Sequence, residues 1–519
     1  MKFTEAEISE IKAHGLTLEQ VEEQVSLFTH GVPKVQLVAP ATVKDGVLKL
    51  NKEKRERYIH LYQDHKEELD VLKFTPASGA ASRMFKNVYQ FLADYDPEKE
   101  TLSAYLKKKD DKFLDRFFKK QKKFPFYDVV MQRVNELYTE EQLEDKDFKK
   151  YAFVKTMMAQ DELDYGSDPK GLLIFHNYDG KLSTAFEEHL YEASAYARQA
   201  KTAKLHFTVS PEHKEGFARL FDNINPSVSA DTDTTYRVSY SFQKPETDTV
   251  AVTQDNKLYR KPTGELLFRP GGHGALINNL NDMDADVIFI KNIDNVLTRD
   301  KLSMLAKNKK MLAGVLLELQ EQMFEYAELL DKDKITEEQL EKLTIFLTQG
   351  FSIRLREDYD DLSLADKKTY LFNLINRPIR ICGMVKNEGE PGGGPFFVKD
   401  KNGKVSLQII ESAQVDLNDP KQYKIFKQST HFNPVDVVAG VRDFKGDKFD
   451  LKQYVDPELA FIASKTDNGT PIKALELPGL WNGAMAKWNT IFVEVPVKTF
   501  NPVKTVNDLL KPSHQAKSE

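Results

Sequence analysis

Residues 74–86, FTPASGAASRMFK, place only small side chains, from Ala77 to Ser82, between an apolar lead-in (Val71, Leu72, Phe74) and a lone Arg83. Small residues at a strand-to-helix corner let backbone N–H groups face a ligand with no Cβ in the way. A following helix N-terminus adds a partial positive charge. Arg83 would add a planar fork of donors matched to phosphate oxygens. Two readings stand open here, an anion cradle and a tight structural corner with Arg83 in a surface ion pair.

Three further stretches have residue types suited to the same chemistry. In SDPKGLLIF (167–175), Lys170 lies at a turn just before a strand-like run. In FRPGGHGALINNL (268–280), Gly271, Gly272 and Gly274 flank His273 in a second loop open to close backbone approach. In DVIFIKNIDNV (286–296), an apolar strand ends in Asn292, Asp294 and Asn295. A carboxylate at the end of a buried strand in an open α/β sheet lies where ligands bind, and Asp is a hard oxygen ligand suited to Mg²⁺. Each has a plain structural alternative: an exposed turn lysine, a cluster of turn glycines, a capping Asp.

The elements that must position these residues are legible as patterns. Thr4 to Glu7 and Thr17 to Gln20 are capping-box spacings ahead of helical apolar residues, with Gly15 as a stop between them. Residues 98–160 are charged and helical. Within them KKKDDKFLDRFFKKQKK reads as an amphipathic helix with a solvated face, because Phe113, Leu114, Phe117 and Phe118 interrupt the basic run. Between 172 and 295, short apolar runs (LLIF, LHFTV, YRVSYSF, DTVAVT, DVIFI) alternate with helical stretches at 185–200 and 212–223. Helix resumes over 299–349 with a stripe from Leu305 through Leu312, Leu316, Leu319 and Met323 to Leu330. From Pro378, strand-like runs return, and HQAKSE reads as a frayed end. The expected organisation is a helical region over 1–68, an α/β half over 69–300 with its 98–160 insertion, and a helical segment over 301–375. A second strand-rich half follows over 376–510, then a tail over 511–519.

The chain has 519 residues, 40% hydrophobic and 30% charged, with a net charge of −6. That balance gives no reason to expect nucleic acid or anionic lipid as a partner. One cysteine, Cys382, excludes an intramolecular disulfide framework and a CxxC zinc cluster. No apolar run approaches the ~20 residues of a membrane span. The N-terminus has no apolar signal-peptide core, and a cytoplasmic protein without membrane partners is expected. His273 and His431 lack metal-pair spacing, and Cys382 reads as a small core residue.

In this order the four stretches resemble the sugar-nucleotide pyrophosphorylases, most closely the UDP-sugar branch. SGAASRM matches that family's opening signature at Gly79, Arg83 and Met84, conservatively at Ser82, and departs at Ala81, where the family has glycine. PKGLL matches its Pro-Lys-Gly, and SYSFQKP resembles the stretch with the uracil-contacting Gln, here Gln243. PGGHGAL is similar to the family's Gly-rich loop, with His273 in an Asn position. VIFIKNIDNVL resembles the strand with the metal-holding Asp, here Asp294. TFNPVKTVNDLL is similar to the segment with a phosphate-contacting lysine, here Lys504. GMVKNEGEPGGGPFFV (383–398) resembles a hallmark of a bacterial family of nucleotidyltransferase-like proteins with no assigned substrate.

The resemblance implies an α/β fold, a Rossmann-like doubly wound sheet of the nucleotide-diphospho-sugar transferase type with a helical N-terminal region and helical insertions. It implies Mg²⁺-dependent coupling of an NTP, with UTP as the expectation from Gln243, to a sugar-1-phosphate. Arg83, Lys170 and Lys504 would be catalytic. Ser78, Gly79, Ala80, Ser82, Gln243, Gly271, Gly272, His273 and Gly274 would bind the nucleotide, Gly393, Glu411 and Asn433 the sugar, and Asp294 the metal. Asp436 is a lesser candidate beside Asn433. Two other readings remain: a nucleotide or sugar-nucleotide binding protein without catalysis, and an assembly protein built on the helical parts.

Overall fold

Near-continuous apolar runs such as VIFI and IRICGMV have no polar face to turn to water, so they form strands covered on both sides. In the computed structural model, which describes residues 3–389, 393–401 and 403–516, these runs form the sheet at the centre of the first of two compact units. That unit comprises Met1–Phe74, Ser241–Ile290 and Lys307–Val497. Its strands run in the order Val47–Leu48, Asn489–Glu494, Ile379–Lys386, His431–Gly440, Val287–Lys291 and Val71–Pro76. Ile379 pairs in parallel with Asn489 and antiparallel with Gly440, while Val287 pairs in parallel with Val71. Phe74, Ile288, Ile290, Cys382, Val437 and Phe492 are buried in its core. The expected α/β class with a large mixed sheet is present.

Two smaller sheets complete this unit. One joins Gln36–Pro40, Gly394–Lys399 and Val405–Ile410, and the other joins Phe268–Arg269, Thr249–Val252, Thr470–Glu476 and Phe461–Asp467. Both N-terminal capping boxes form, at Thr4/Glu7 and Thr17/Gln20. Their helices bury Ile11, Val21, Val25 and Phe28 against Val250, Val252 and Leu475. Along Leu302–Asp331, Leu312, Leu316 and Met323 are buried, whereas Leu319 and Leu330 are only partly covered.

The second unit comprises Thr75–Tyr240, Lys291–Ala306 and Lys498–Glu519. The charged stretch after Pro97 folds as short helices, among them Leu102–Lys109, Lys112–Lys119, Tyr127–Leu137 and Lys146–Met158. Leu114, Phe117 and Phe118 are buried inside the basic run, with Phe117 and Phe118 meeting Phe91 and Phe124 edge-on or tilted, so its apolar residues are core. The run is broken between Lys109 and Lys112 rather than forming the one amphipathic helix expected. The strand Thr202–Thr208 lies between helices Ala185–Tyr196 and Lys214–Thr232 in chain order. The expected frayed end fails at His514, which is 1% exposed and bonded on both ring nitrogens. Lys517 to Glu519 lie outside the described residues. Among the described residues no helix is long and apolar enough to cross a membrane.

Candidate active site

In the second unit the chain leaves its strand at Ala77, whose N–H donates to the Thr208 carbonyl at 2.8 Å. Ser78, Gly79 and Ala80 are exposed, and among the described residues their N–H groups have no acceptor within the protein. Ala80 faces Pro169 in an isolated antiparallel bridge, flanked by Ala81 N–H to Asp168 O at 2.9 Å and Lys170 N–H to Gly79 O at 3.4 Å. The corner and the Pro-Lys-Gly turn therefore hold each other. Ala81 is fully buried with its N–H committed, so its methyl group does not stand in the open face of the loop. Ser82 and Arg83 are exposed. Arg83 lies in a 3₁₀ turn, Ala81–Arg83, ahead of the helix Lys86–Asp94 rather than inside that helix.

Lys170 extends its ammonium to two acceptors, Asp294 Oδ2 and the Val503 carbonyl, both at 2.7 Å. Both partners of this ion pair keep some solvent access, 15% and 17% of the side chain. Asp294 is held from both sides. Ile293 N–H bonds the Pro76 carbonyl at 3.3 Å, His189 Nε2 donates to the Ile293 carbonyl at 3.1 Å, and Val503 N–H donates to the Asp294 carbonyl at 3.0 Å. Asn501 N–H donates to Asn295 Oδ1 at 2.9 Å, and Val506 N–H donates to the Met84 carbonyl at 3.1 Å. The 501–506 segment with exposed Lys504 is thereby stitched beside Asp294 and next to Arg83. Four stretches, the outermost more than 400 residues apart in the sequence, converge here in one unit.

Two groups in this unit escape sequence reasoning. Asp168 precedes the Pro-Lys-Gly turn, and burial pushes its carboxyl above the usual range, with His213 opposing. A buried polar network lies behind Asn501. His514 Nε2 donates to the Asn501 carbonyl at 2.9 Å, so His514 Nδ1 accepts from His176 Nε2 at 3.0 Å, and His176 Nδ1 meets Glu188 at 3.0 Å. Arg299 bonds Glu187 and Glu188 and stacks over Tyr178 and Tyr191. Scattered single His, Glu and Tyr residues leave no periodic trace in a sequence.

The first unit assembles its own group. His273 stacks on Trp481 with ring centroids 4.3 Å apart, and its Nδ1 accepts the Leu480 N–H at 3.0 Å. Burial pushes the imidazole down from its ordinary value, against the pull of Glu411 and Glu476. A Cβ on Gly274 would meet the Pro478 carbonyl oxygen at 2.1 Å, so this glycine serves close packing, and Gly272 adopts φ +78°. Gly271 is buried likewise. Asn482 Nδ2 donates to Glu411 Oε1 at 2.9 Å. Gly393 is buried, and its carbonyl accepts the Asn433 N–H at 2.8 Å. Asn433 spends Oδ1 on Val435 N–H, while its buried Nδ2 has no partner among the described residues. Gln243 is half-buried, with Nε2 at 3.4 Å from Asp248. Asp436 is buried in an ion pair with Lys309, which makes it structural.

The expectation for the 383–398 glycine loop falls partly on Glu390, Pro391 and Gly392, which lie outside the described residues. The turn 477–483, with Trp481 and Asn482, was not anticipated. Its signal was one of only two tryptophans, set in LPGLWNG. Cys382 is buried, and burial pushes its thiol up to about 11, so it is inert. Among the described residues no group of three or more His, Cys, Asp or Glu side chains forms a metal centre.

With this geometry in hand, the chain is seen to belong to the family described as "Domain of unknown function (DUF4301)", matched over residues 4–515. A comparison with curated proteins finds no match. Among solved structures it is similar to the UDP-glucose pyrophosphorylase of Leishmania major, known in open and closed structures. Identity there is 12%, with 98% of this chain and 79% of that chain covered and a TM-score of 0.44. It is also similar to the Trypanosoma brucei uridine diphosphate N-acetylglucosamine pyrophosphorylase in complex with inhibitor. That match has 11% identity, coverage of 98% and 79%, and a TM-score of 0.43.

Proposed function

We propose that this chain is a nucleotidyltransferase that joins an NTP, UTP in the first instance, to a sugar-1-phosphate and releases pyrophosphate. One observation supports it above the others. Three backbone N–H groups without protein acceptors, at Ser78, Gly79 and Ala80, share a corner with the Lys170–Asp294 pair and the Lys504 segment. In the reaction a sugar-phosphate oxygen attacks the α-phosphorus, the bond to the α,β-bridging oxygen breaks, and pyrophosphate leaves with that electron pair. Catalysis of this kind is positioning plus neutralisation of developing charge. The 78–80 amides, Ser82 and Arg83 hold the departing phosphates. Lys170, already oriented by two acceptors, and Lys504 neutralise the attacking and transferring groups. In the first unit, Gln243 and the Gly271–Gly274 loop are the candidates for the base, and Glu411, Asn433 and Gly393 for the sugar.

Asp294 has the chemistry to hold Mg²⁺: one carboxylate oxygen remains beyond the one Lys170 takes, and Mg²⁺ commonly binds through one or two carboxylates plus substrate phosphates. Bound there, the ion would supply charge neutralisation at the α-phosphate. Removing one charge-stabilising group typically costs ~10²–10³ in rate. Arg83→Ala and Asp294→Asn should therefore each abolish measurable pyrophosphate release while leaving the thermal unfolding midpoint unchanged. Near wild-type turnover in both would refute the mechanism.

A second reading draws on the same ion pair. A carboxylate already neutralised by Lys170 suits a binding protein that holds a nucleotide without turning it over. Calorimetry with UTP, UDP-sugars and sugar-1-phosphates beside the pyrophosphate assay separates the two. Saturable binding with no release across the panel selects the second.

A further inference from the structure

The first unit holds a cavity of about 320 Å³ that none of the motifs above enters. It lies where the strands Ile379–Lys386 and Asn489–Glu494 begin, lined by Arg377, Trp488 and Asn489 and walled by Gln408 and Lys404 from the three-stranded sheet. The 383–398 loop follows the other end of the Ile379–Lys386 strand.

Four polar groups in this cavity, two buried and two half-buried, lack the partners such groups normally have among the described residues. Arg377 donates Nε to the Asn373 carbonyl at 2.5 Å, and among the described residues its guanidinium meets no carboxylate. Lys404 has no ion pair among the described residues either. Burial, then the neighbouring Arg377, push its ammonium down to about 8, with Asp400 opposing. Among the described residues Trp488 Nε1 and Gln408 Oε1 are buried without partners, in residues each 5% exposed. The Gln408 amide is locked, since Nε2 donates to Ser406 Oγ at 2.9 Å and to the Ala486 carbonyl at 2.7 Å. The acids nearby are engaged elsewhere. Glu458 pairs with Lys401 at 2.6 Å, and Asp400 and Asp456 accept backbone N–H bonds at 2.9 and 3.1 Å.

An unpaired buried donor or acceptor costs ~1–3 kcal/mol, and an unpaired buried charge costs more. Two buried groups without partners and two half-buried cations without acids, in one cavity, are met together by a single kind of occupant. We propose that this cavity binds a small organic phosphate monoester. Arg377 and Lys404 take the phosphate, while Trp488 donates to and Gln408 accepts from the polar body. Two cations without acids match the −1.5 to −2 charge of a phosphate monoester at pH 7 better than a monocarboxylate, and the guanidinium fork matches phosphate oxygens. This site does not depend on the reaction proposed above.

The chain has two tryptophans, so Trp481→Phe leaves Trp488 as the sole indole and a direct reporter of the cavity. Uridine monophosphate and phenyl phosphate, titrated into this variant, should change its emission saturably. Benzoate and inorganic phosphate should act only weakly. Adding Arg377→Met or Lys404→Met should weaken binding roughly 10- to 100-fold, whereas adding Asp294→Asn should leave it intact. Should Arg377→Met fail to fold, Lys404→Gln tests the same charge. No saturation with either ester overturns the proposal, as does binding that survives Lys404→Met and Lys404→Gln. Benzoate or inorganic phosphate binding as tightly as the esters would equally overturn the assignment to a phosphate monoester.

Discussion

Gly79 and Gly274 look alike in the sequence, each a glycine in a permissive loop ahead of a helix, yet the structure gives them opposite roles. A Cβ on Gly79 meets nothing within 4 Å, while one on Gly274 runs into a backbone carbonyl oxygen. Gly79→Ala should fold with an unchanged melting midpoint. If triphosphate lies against this backbone, its kcat/KM should fall on the order of 10²-fold, the usual consequence of a reactant displaced by about 1 Å. Gly274→Ala should instead lose ~1–3 kcal/mol or more of stability through overpacking. Equal turnover in wild type and Gly79→Ala would remove the cradle from the mechanism. Ala81 supplies the converse test. Because its methyl is buried and its N–H is committed to Asp168, Ala81→Gly should cost roughly 1 kcal/mol in added chain freedom and buy no activity. At this scale the sequence pointed to a loop where glycine is required, since Gly272 adopts φ +78° and Gly274 packs against a carbonyl oxygen. It was a poor guide to Asp168, Trp481 and Asn482, whose roles come from neighbours far away in the chain.

Among the elements, the C-terminal segment is the one whose placement the sequence hid most completely, because HQAKSE has the composition of a free end. His514 holds it, with Nε2 bonded to the Asn501 carbonyl and Nδ1 to His176, and Asp508 and Lys511 close by. Burial and then His176 push the His514 imidazole down to about 3 from an ordinary 6.5. The sign follows from which state takes the proton. Below about pH 6.5 the unfolded chain protonates this histidine and the folded chain does not. The contribution is therefore complete above pH 6.5 and is drawn down as pH falls toward 3, at up to ~1.4 kcal/mol per pH unit. Urea midpoints measured from pH 7 to pH 5 should fall less steeply in His514→Gln, which keeps a donor for Asn501 and an acceptor for His176 but cannot titrate. Identical pH slopes in the two proteins would mean that His514 is not held neutral. Most strands and amphipathic helices were legible because period-2, continuous-apolar and 3.6-residue patterns are local, but Gln36–Pro40 and Val47–Leu48 are strands inside the 1–68 region expected to be helical. The cavity at Arg377 and Trp488 was not legible, since its walls come from residues 33–36, 351–353, 374–377, 398–401, 404–408, 456–459 and 486–490.

For the whole molecule, each unit is assembled from three separated stretches, so neither can be cut out as one piece. The second unit shows the consequence most sharply. Its longest stretch, 75–240, holds Glu192, Glu187, Glu188 and His176, all buried. Their partners come from elsewhere: Lys291 at 2.6 Å from Glu192, Arg299 on Glu187 and Glu188, and His514 on His176. A polypeptide limited to 75–240 would leave those carboxylates buried without their cations. Each uncompensated charge costs ~3–5 kcal/mol, so two already rival the 5–15 kcal/mol by which a domain is stable. The same cut also removes Asp294 and the 501–506 segment, so the fragment would retain the small-residue corner but leave Lys170 without the two acceptors that orient it. Expressed alone, 75–240 should show no cooperative unfolding transition by circular dichroism. Supplying 291–306 and 498–519 on the same polypeptide, through flexible linkers, should restore one. A sharp, reversible transition from 75–240 alone would show that these buried pairs contribute far less to the unit than their geometry implies.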